Sequence, residues 1–274
     1  MNEKIAIQGA QGSNHHKVAQ LLYGNDTPIE ECLSFDALVD QLLNDTAQKG
    51  VMAIENTIAG SIIPNYALID QNDLQICDEY YLPIHHHLMA LPGQSILDIK
   101  EVCSHPMALL QCKQFLKKHP HIKLVEDVDT AAVAKRIGKE QLKGVAAIAP
   151  KIAAELFGLD VLEDEIQTIK NNATRFVVLQ TREQPIQDFN KASLKFELDH
   201  KRGSLAAMLN VMSDCKLNLT KIQSLPKIET PWKYAFFVDV TFDRVADYEK
   251  AKAIIEIMAE DLKVLGTYNN GRPS

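Results

Sequence analysis

The sequence predicts an α/β protein with two α/β lobes, followed by a small ferredoxin-like domain of βαββαβ order. Short apolar runs alternate with segments of helical period from residue 1 to about 181, which is typical of βα units that feed a largely parallel sheet. The stretch from Thr181 to Asn190 is polar, and after it the element order changes. We therefore predict domains over residues 1–181 and 191–274, joined by a linker over residues 182–190.

Composition limits the classes of function. The chain has 274 residues, of which 46% are hydrophobic, enough for a buried core. The net charge of -7 and the lack of a basic run interleaved with aromatics argue against nucleic acid as a partner. No segment approaches the roughly 18 apolar residues of a membrane span, and the N-terminus lacks signal-peptide features. We expect a cytoplasmic protein without a membrane partner.

The first region contains six predicted strands, separated by helices. Ser34 and Asp129 are predicted N-caps of the helices Phe35–Leu43 and Thr130–Ile137, and Gly158 is predicted to end the helix Lys151–Phe157. The predicted strands are Lys4–Gln8, Val51–Glu55, Glu101–Ser104, Lys123–Asp127, Gly144–Ala149 and Arg175–Gln180.

The second region is predicted to contain four strands and two helices in the order of a ferredoxin-like domain. The predicted elements are strand Ser193–Leu198, helix Gly203–Cys215, strand Leu219–Leu225, strand Tyr234–Val240, helix Tyr248–Ala259 and strand Val264–Tyr268.

Small polar residues follow four of the predicted strands. Ligands of open α/β sheets bind outside the carboxyl ends of the strands. Helix N-termini at these ends add unpaired N–H groups that favour anions. The sequence therefore predicts an anion site there. Its segments are Gly9–Ser13, Glu55–Thr57 with Gly60 and Ser61, Ser104–Pro106, and Asp129–Ala132.

Several of these motifs have simpler interpretations. The Gly9–Gly12 turn lacks the spacing of a dinucleotide fingerprint or a P-loop. Asp129 could serve only as a helix cap. His85-His86-His87 is interpreted as part of a polar strand, on which at most two of the three histidines share a face, so we expect no metal site.

The strongest local signal is Asn171-Asn172-Ala173-Thr174-Arg175-Phe176, at the start of a predicted strand. By composition alone, the two asparagines could form a turn and Thr174 could be an ordinary β-branched strand residue.

Taken together, these segments resemble the prephenate dehydratase family over nearly the whole chain, including a C-terminal ACT domain. The ordered set is specific, although each motif alone is weak. The resemblance implies a two-lobed catalytic domain of the type II periplasmic-binding-protein kind. The matching segments are Glu55-Asn56-Thr57 with Gly60-Ser61, Ser104-His105-Pro106 with Gln111-Cys112, Asp129–Ala132, Ala146–Ala149 with Ala153-Ala154 and Phe157–Leu159, and Asn172–Phe176.

The resemblance also implies a reaction and a set of site residues. The reaction is the decarboxylating dehydration of prephenate to phenylpyruvate, without cofactor or metal. Thr174 is the implied catalytic residue, a hydroxyl donor to the leaving oxygen. The implied substrate-binding residues are Asn56, Thr57, Ser104, Gln111, Thr130, Arg175 and Phe176.

For the C-terminal domain, the resemblance implies allosteric inhibition by L-phenylalanine in a homodimer or homotetramer. Gln223 and Leu225 depart from the family's usual Glu and Arg, so we expect weaker inhibition than in relatives with the full motif. The implied phenylalanine-binding residues are Gly203, Ser204, Leu205, Asn218, Ser224 and Pro226.

Two departures affect the catalytic region, and two other functions remain open. The loop Gly9–His15 lacks the aromatic residue that the family usually has, and Met107 replaces a usual Gln. Arogenate is the alternative substrate, because it differs from prephenate only in an amino group in place of a keto group. A non-catalytic amino-acid sensor is the alternative from another class.

Overall fold

The structure, a computed structural model, describes residues 3–182, 188–199, 201–226 and 233–272. Part of the predicted linker, residues 183–187, lies outside the described residues. The strands are β1 (Ile5–Gln8), β2 (Ile29–Cys32), β3 (Lys49–Asn56), β4 (Gly60–Ser61), β5 (Gln75–Pro83), β6 (His87–Ala90), β7 (Glu101–Ser104), β8 (Lys123–Glu126), β9 (Val145–Ala149), β10 (Asp160–Glu163), β11 (Ala173–Gln180), β12 (Lys191–Glu197), β13 (Asn218–Pro226), β14 (Tyr234–Thr241) and β15 (Asp261–Tyr268).

Helices connect most of these strands. They are α1 (Asn14–Tyr23), α2 (Phe35–Leu43), α3 (Ile63–Gln71), α4 (Pro106–Gln111), α5 (Lys113–Leu116), α6 (Thr130–Glu140), α7 (Lys151–Phe157), α8 (Ser204–Asp214) and α9 (Val245–Met258), with a 3-10 helix at Ile96–Asp98. Within the described ranges, no helix combines the length and apolarity that crossing a membrane requires.

The strands form three sheets. The first has the order β2-β1-β3-β11-β5, and β1 pairs in parallel with both β2 and β3. The second has the order β10-β6-β9-β7-β8. In it β7 is parallel to β8 and β9, whereas β6 is antiparallel to β9 and β10. The third is the four-stranded sheet β13-β14-β12-β15. The prediction of a largely parallel sheet is therefore wrong for β6 and β10.

Local sequence signals explain most helix boundaries. The side chains of Ser34 and Asp129 accept hydrogen bonds from the backbone N–H groups of Ala37 at 3.1 Å and Ala132 at 2.7 Å, so both predicted N-caps are confirmed. Gly158 ends α7 in the left-handed conformation, with φ of 65°.

The predicted strands and the βαββαβ order are also confirmed. The six strands of the first region agree with the structure within two residues, and the C-terminal elements agree within three. Five strands, β2, β4, β5, β6 and β10, were not among these predicted strands.

Tertiary contacts divide the chain into two compact units. The first contains residues 1–60 and 82–176, and the second contains residues 61–81 and 177–274. Helix α3 and most of β5 therefore belong to the second unit, although they lie early in the sequence. The predicted domain boundaries at 181 and 191 stay predictions.

The C-terminal sheet of the second unit has two different faces. Alternate residues of β12, namely Ala192, Leu194 and Phe196, are fully buried in an apolar core with residues of α8 and α9. The opposite face of β12 carries Lys191, Ser193, Lys195 and Glu197. This polar face meets α3 and β5.

A fully buried ion pair joins β12 to β5. Lys191 Nζ lies 2.8 Å from Glu79 Oε1, and the two side chains are 2% and 0% exposed. The Tyr81 hydroxyl lies 3.2 Å from Lys191 Nζ, and the Gly271 backbone N–H donates to Glu79 Oε1 at 2.9 Å. Such additional hydrogen bonds are needed to offset the desolvation of two buried charges.

Breaking this pair should be much more destabilising than breaking an exposed one. Lys191→Met removes the cation that pairs with the buried Glu79 side chain, so we expect the free energy of unfolding to fall by about 3–5 kcal/mol. Lys123, whose side chain is 74% exposed, pairs with Glu101 at 3.3 Å. Lys123→Met is the matched control and should cost about 1 kcal/mol or less. Urea unfolding of both variants checks this prediction, and equal losses would contradict it.

Candidate active site

Three segments of the first unit supply a compact cluster of polar side chains. Asn56 is the last residue of β3, Gln111 is the last residue of α4, and Thr174 is the second residue of β11. β3 and β11 are neighbours in the first sheet, and hydrogen bonds from Asn56 to Thr174 and from Thr57 to Ala173 place the end of β3 beside the start of β11. Long-range folding therefore brings together residues that are more than one hundred positions apart in the sequence.

Asn56 lies at the centre of this cluster. Its Oδ1 accepts hydrogen bonds from the backbone N–H groups of Ile58 and Ala59, both at 2.9 Å. Its Nδ2 then donates to Asn172 Oδ1 at 2.7 Å and to Thr174 Oγ1 at 2.9 Å. Because a carboxamide has one acceptor end and one donor end, the two backbone donors determine which end faces Thr174.

The network continues from Asn172 to Gln111 and His86. Asn172 Nδ2 donates to Gln111 Oε1 at 3.1 Å, and His86 Nε2 lies 2.8 Å from the same oxygen. Burial lowers the pKa of His86, an effect partly opposed by the hydrogen bond to Gln111. His86 is therefore neutral at neutral pH.

Thr57 anchors the neighbouring backbone to the same cluster. Its hydroxyl oxygen accepts from the Ala173 N–H at 2.9 Å, and its own N–H donates to the Ala173 carbonyl at 2.9 Å. These two hydrogen bonds join Thr57, which follows Asn56, to Ala173, which precedes Thr174. The spacing between Asn56 and Thr174 is thereby set by the backbone.

The Thr174 hydroxyl retains its proton for a ligand. It accepts from Asn56, and among the described residues it donates to no other group. The residue is 8% exposed. A nearly buried hydroxyl with its oxygen occupied and its hydrogen available is suited to hydrogen-bond an electronegative leaving atom.

Ser104 is the last residue of β7, and Thr130 is the first residue of α6, both in the first unit. Ser104 is fully buried, and its hydroxyl donates to the Ile148 carbonyl at 2.6 Å. Thr130 is half-buried and is the first residue of α6, directly after the cap Asp129. Their predicted contacts with a substrate stay predictions.

Arg175 and Phe176 follow Thr174 on β11 but differ in direction. Successive strand residues point to opposite faces, so Arg175 leaves the strand on the face opposite to Thr174. Arg175 is 3% exposed and has polar partners within the protein. Phe176 is 2% exposed and packs edge-on against the His15 ring, with centroids 5.0 Å apart. Substrate contacts for both residues stay predictions.

The glycine-rich loop after β1 packs tightly against the start of α6. Gly9 has φ of 89°, and a Cβ there would come within 2.6 Å of Asp129 Oδ2. Burial raises the pKa of Asp129, while hydrogen bonds from the backbone N–H groups of Ala132, Ala10 and Ala131 oppose that rise. Asp129 is thus both a helix cap and a contact of the loop.

A cavity of about 410 Å³ adjoins Gln111. Four apolar side chains line it, and Lys113 and Lys117 add positive charge. Met107, which departs from the family pattern, is one of the apolar residues. The cavity thus combines an apolar wall with two cations, which fits an apolar anion. Its apolar side chains are Ile58, Met107, Leu110 and Ile169.

The three consecutive histidines do not form the predicted polar strand. His87 begins β6, whereas His85 and His86 precede it in the connection from β5. Each ring has a different neighbour: His86 bonds Gln111, and His87 Nδ1 lies 2.9 Å from Asp164 Oδ1. Among the described residues, no group of three His, Cys, Asp or Glu side chains is arranged to hold a metal.

The predicted phenylalanine-binding residues lie in the second unit, at the start of α8 and on β13. Gly203 has φ of 88° and caps α8. A cavity of about 160 Å³ is lined in part by Ser204 and Leu205. Asn218, Ser224 and Pro226 lie on β13, at an edge of the C-terminal sheet, and do not line that cavity. Within one chain, the residues at the start of α8 and those on β13 therefore do not line a common cavity.

The sequence reasoning did not place Asn172 and His86 in the site. Asn172 belongs to the strongest local motif, so its position two residues before Thr174 could have marked it. His86 carried no such signal, because its side chain reaches Gln111 only through the fold.

A family model and two similar proteins share the name prephenate dehydratase. A family model described as prephenate dehydratase matches residues 5–184. An arogenate dehydratase/prephenate dehydratase from Arabidopsis thaliana is 35% identical over 97% of this chain and 72% of its own length. A bifunctional chorismate mutase/prephenate dehydratase from Enterobacter agglomerans is 32% identical over 97% of this chain and 70% of its own length.

A solved structure is similar along the whole chain. It is a prephenate dehydratase from Arthrobacter aurescens in complex with L-Phe, with a TM-score of 0.85 and 25% identity. The match covers 99% of this chain and 92% of that one.

The burial of His15, whose ring packs against Phe176 of β11, should make the free energy of unfolding depend on pH. Burial lowers its pKa from 6.5 to about 3. Between about pH 3 and pH 6.5, His15 is protonated in the unfolded chain but not in the folded protein. The free energy of unfolding therefore decreases as the pH falls from about 6.5 towards 3. His15→Gln should therefore reduce the slope of unfolding free energy against pH by up to about 1.4 kcal/mol per pH unit.

Urea unfolding between pH 7 and pH 5 measures that slope. His121→Gln, at an exposed histidine, is the matched control and should leave the slope unchanged. The assignment of a buried, neutral His15 fails if His15→Gln and wild type have the same slope.

Proposed function

The chain belongs to the prephenate dehydratase family, and on that premise we propose that it converts prephenate to phenylpyruvate at the site formed by Asn56, Gln111 and Thr174. One observation carries the proposal. Asn56 donates to the Thr174 oxygen at 2.9 Å, which leaves the Thr174 hydrogen to bind the leaving group of the substrate.

The reaction breaks two bonds of the substrate and needs no redox change. The bond from the ring to one carboxylate breaks, carbon dioxide leaves, and the electron pair enters the ring. The bond from the ring to its hydroxyl breaks as well, and its electron pair leaves with the oxygen. The departing hydroxide takes one proton from the Thr174 hydroxyl to become water, and Thr174 regains a proton from solvent. Because an aromatic ring forms, the catalyst needs mainly to hold the substrate and to stabilise the departing oxygen.

The network provides for both tasks. The Thr174 hydroxyl donates to the departing oxygen, and Asn56 stabilises the developing charge on Thr174 by donating to it. The carboxamide N–H groups of Gln111 point away from its bonded oxygen and hold a substrate carboxylate. Ser104, Thr130, Arg175 and Phe176 are proposed as further substrate-binding residues on the family resemblance alone.

The second candidate substrate is arogenate. The names of the similar plant proteins include arogenate dehydratase, which favours it as the alternative. Arogenate carries an amino group where prephenate carries a keto group, and both have the same leaving hydroxyl. Comparing kcat/KM for the two substrates on the same protein decides between them.

We expect Thr174→Val to lower kcat with prephenate by about 10²-fold or more, because the variant keeps the β-branched shape but loses the donor. Thr174→Ser should retain more activity. Thr46→Val, at an exposed threonine, is the matched control and should behave as wild type. Phenylpyruvate formation is the measurement. Near-normal turnover by Thr174→Val would remove Thr174 from the mechanism, and wild type inactive on both substrates would refute the function.

We further propose that residues 191–274 form an ACT domain that binds L-phenylalanine and reduces activity in a cytoplasmic homo-oligomer. The Arthrobacter aurescens structure, in complex with L-Phe, supports this ligand. Strand β13 supports assembly, because it is an edge strand without a fully buried residue, and Ile222 is 41% exposed.

Calorimetric titration of phenylalanine tests the regulatory site. We expect binding to wild type, and Asn218→Ala should weaken it, whereas Asn25→Ala, at an exposed asparagine elsewhere, should not. By linkage, bound phenylalanine should raise KM for the substrate, by a coupling of typically about 1–3 kcal/mol. Absence of binding to wild type would remove the regulatory proposal and leave the catalytic one intact.

A further inference from the structure

His86 is a buried side chain that contacts the candidate site without reaching its centre. It is 5% exposed, and its Nε2 lies 2.8 Å from Gln111 Oε1. We propose that His86 is a positioning residue, which holds the carboxamide of Gln111 so that its two N–H donors face the substrate carboxylate. The inference deepens the proposed function and rests on it.

The directions of the hydrogen bonds in the network follow from its backbone anchor. The N–H groups of Ile58 and Ala59 can only donate, so Asn56 must present its oxygen to them and its Nδ2 to Asn172. Asn172 therefore accepts with its oxygen and donates with its nitrogen, towards Gln111. Each carboxamide in turn determines the orientation of the next.

The last member of this chain is His86. Gln111 receives a donor from Asn172, so the atom that it presents there is its oxygen. The His86 nitrogen beside that oxygen must then carry the hydrogen, which assigns the Nε2–H tautomer. Its Nδ1 is the unprotonated nitrogen, and it is buried without a hydrogen-bond partner among the described residues.

Two donors on one oxygen fix the orientation of Gln111. Rotating the carboxamide by half a turn would place an N–H group against the donors of both Asn172 and His86. Without His86, the 3.1 Å bond from Asn172 is the one hydrogen bond to this oxygen that the described residues retain against that rotation. With His86 present, the Gln111 nitrogen is turned away from the network, and the half-buried residue lines the 410 Å³ cavity.

His86 is itself held at its backbone. Its N–H donates to the Gln167 side-chain oxygen at 3.0 Å, and its carbonyl accepts from the Ile166 N–H at 2.8 Å. These bonds tie the connection between β5 and β6 to the segment that follows β10. The imidazole is thus presented to Gln111 from a constrained backbone, as a positioning role requires.

The kinetic test compares two substitutions at the same position. His86→Leu removes the donor, whereas His86→Gln can place a side-chain N–H close to the former Nε2. We expect His86→Leu to raise KM for prephenate about tenfold with a smaller change in kcat, because Gln111 binds the substrate before and during reaction. His86→Gln should restore much of the loss. His121→Leu, the same substitution at an exposed histidine, is the control and should match wild type.

A double-mutant cycle separates positioning from a general effect on folding. If His86 acts through Gln111, Gln111→Leu and the double variant His86→Leu/Gln111→Leu should have the same KM. Additive increases in KM, or an unchanged KM in His86→Leu, would overturn the proposal. Wild type that turns over neither prephenate nor arogenate would instead refute the proposed function.

Nitrogen NMR of histidine-labelled protein tests the tautomer without any assay of activity. The His86 resonances should show a protonated Nε2 and an unprotonated Nδ1 at neutral pH, assigned by their loss in His86→Gln. The opposite tautomer would overturn the inference even if the kinetic results agreed with it.

Discussion

The orientation of one carboxamide, that of Asn56, determines the polarity of the whole candidate site. Two backbone N–H groups hold its oxygen, and its nitrogen must then face Asn172 and Thr174. Backbone donors cannot change direction, whereas side-chain amides and hydroxyls can. The Thr174 hydroxyl is therefore an acceptor towards the protein and a donor towards a ligand. The hydrogen bonds between Asn56, Asn172 and Thr174, all neutral side chains, thereby have a fixed direction.

A second constraint links this site to the C-terminal part of the chain. The chain passes between the two compact units at residues 60/61, 81/82 and 176/177. These passages lie a few positions from Asn56, His86 and Thr174. Asn56, His86 and Thr174 are therefore joined to the second unit through short stretches of continuous backbone.

Local signals in the sequence predicted much of this arrangement, since they depend on neighbouring residues. The helix caps, the alternation of strands and helices, and the βαββαβ order all follow from short-range patterns. Asn56, Gln111 and Thr174 were placed in one site by their resemblance to a family, and the structure joins them in one network.

The elements that were missed depend on partners far along the chain. Strand β5 contains Asp78 and Glu79 in its centre, which resembles a polar loop. Glu79 is tolerated there because Lys191, 112 residues later, pairs with it in the interior. His86 escaped attention for the same reason, since only the folded chain brings it to Gln111. No local pattern contains that information.

The placement of α3 and β5 also affects how the protein is made. A ribosome releases residues 61–81 well before residues 177–274, the remainder of the unit to which they belong. At about 5–20 residues per second, the delay is on the order of ten seconds. During this time Glu79 lacks Lys191 and Asp70 of α3 lacks Lys195, because both lysines are made later. Because synthesis proceeds from the N-terminus, the second unit can be completed only after its C-terminal residues have been made.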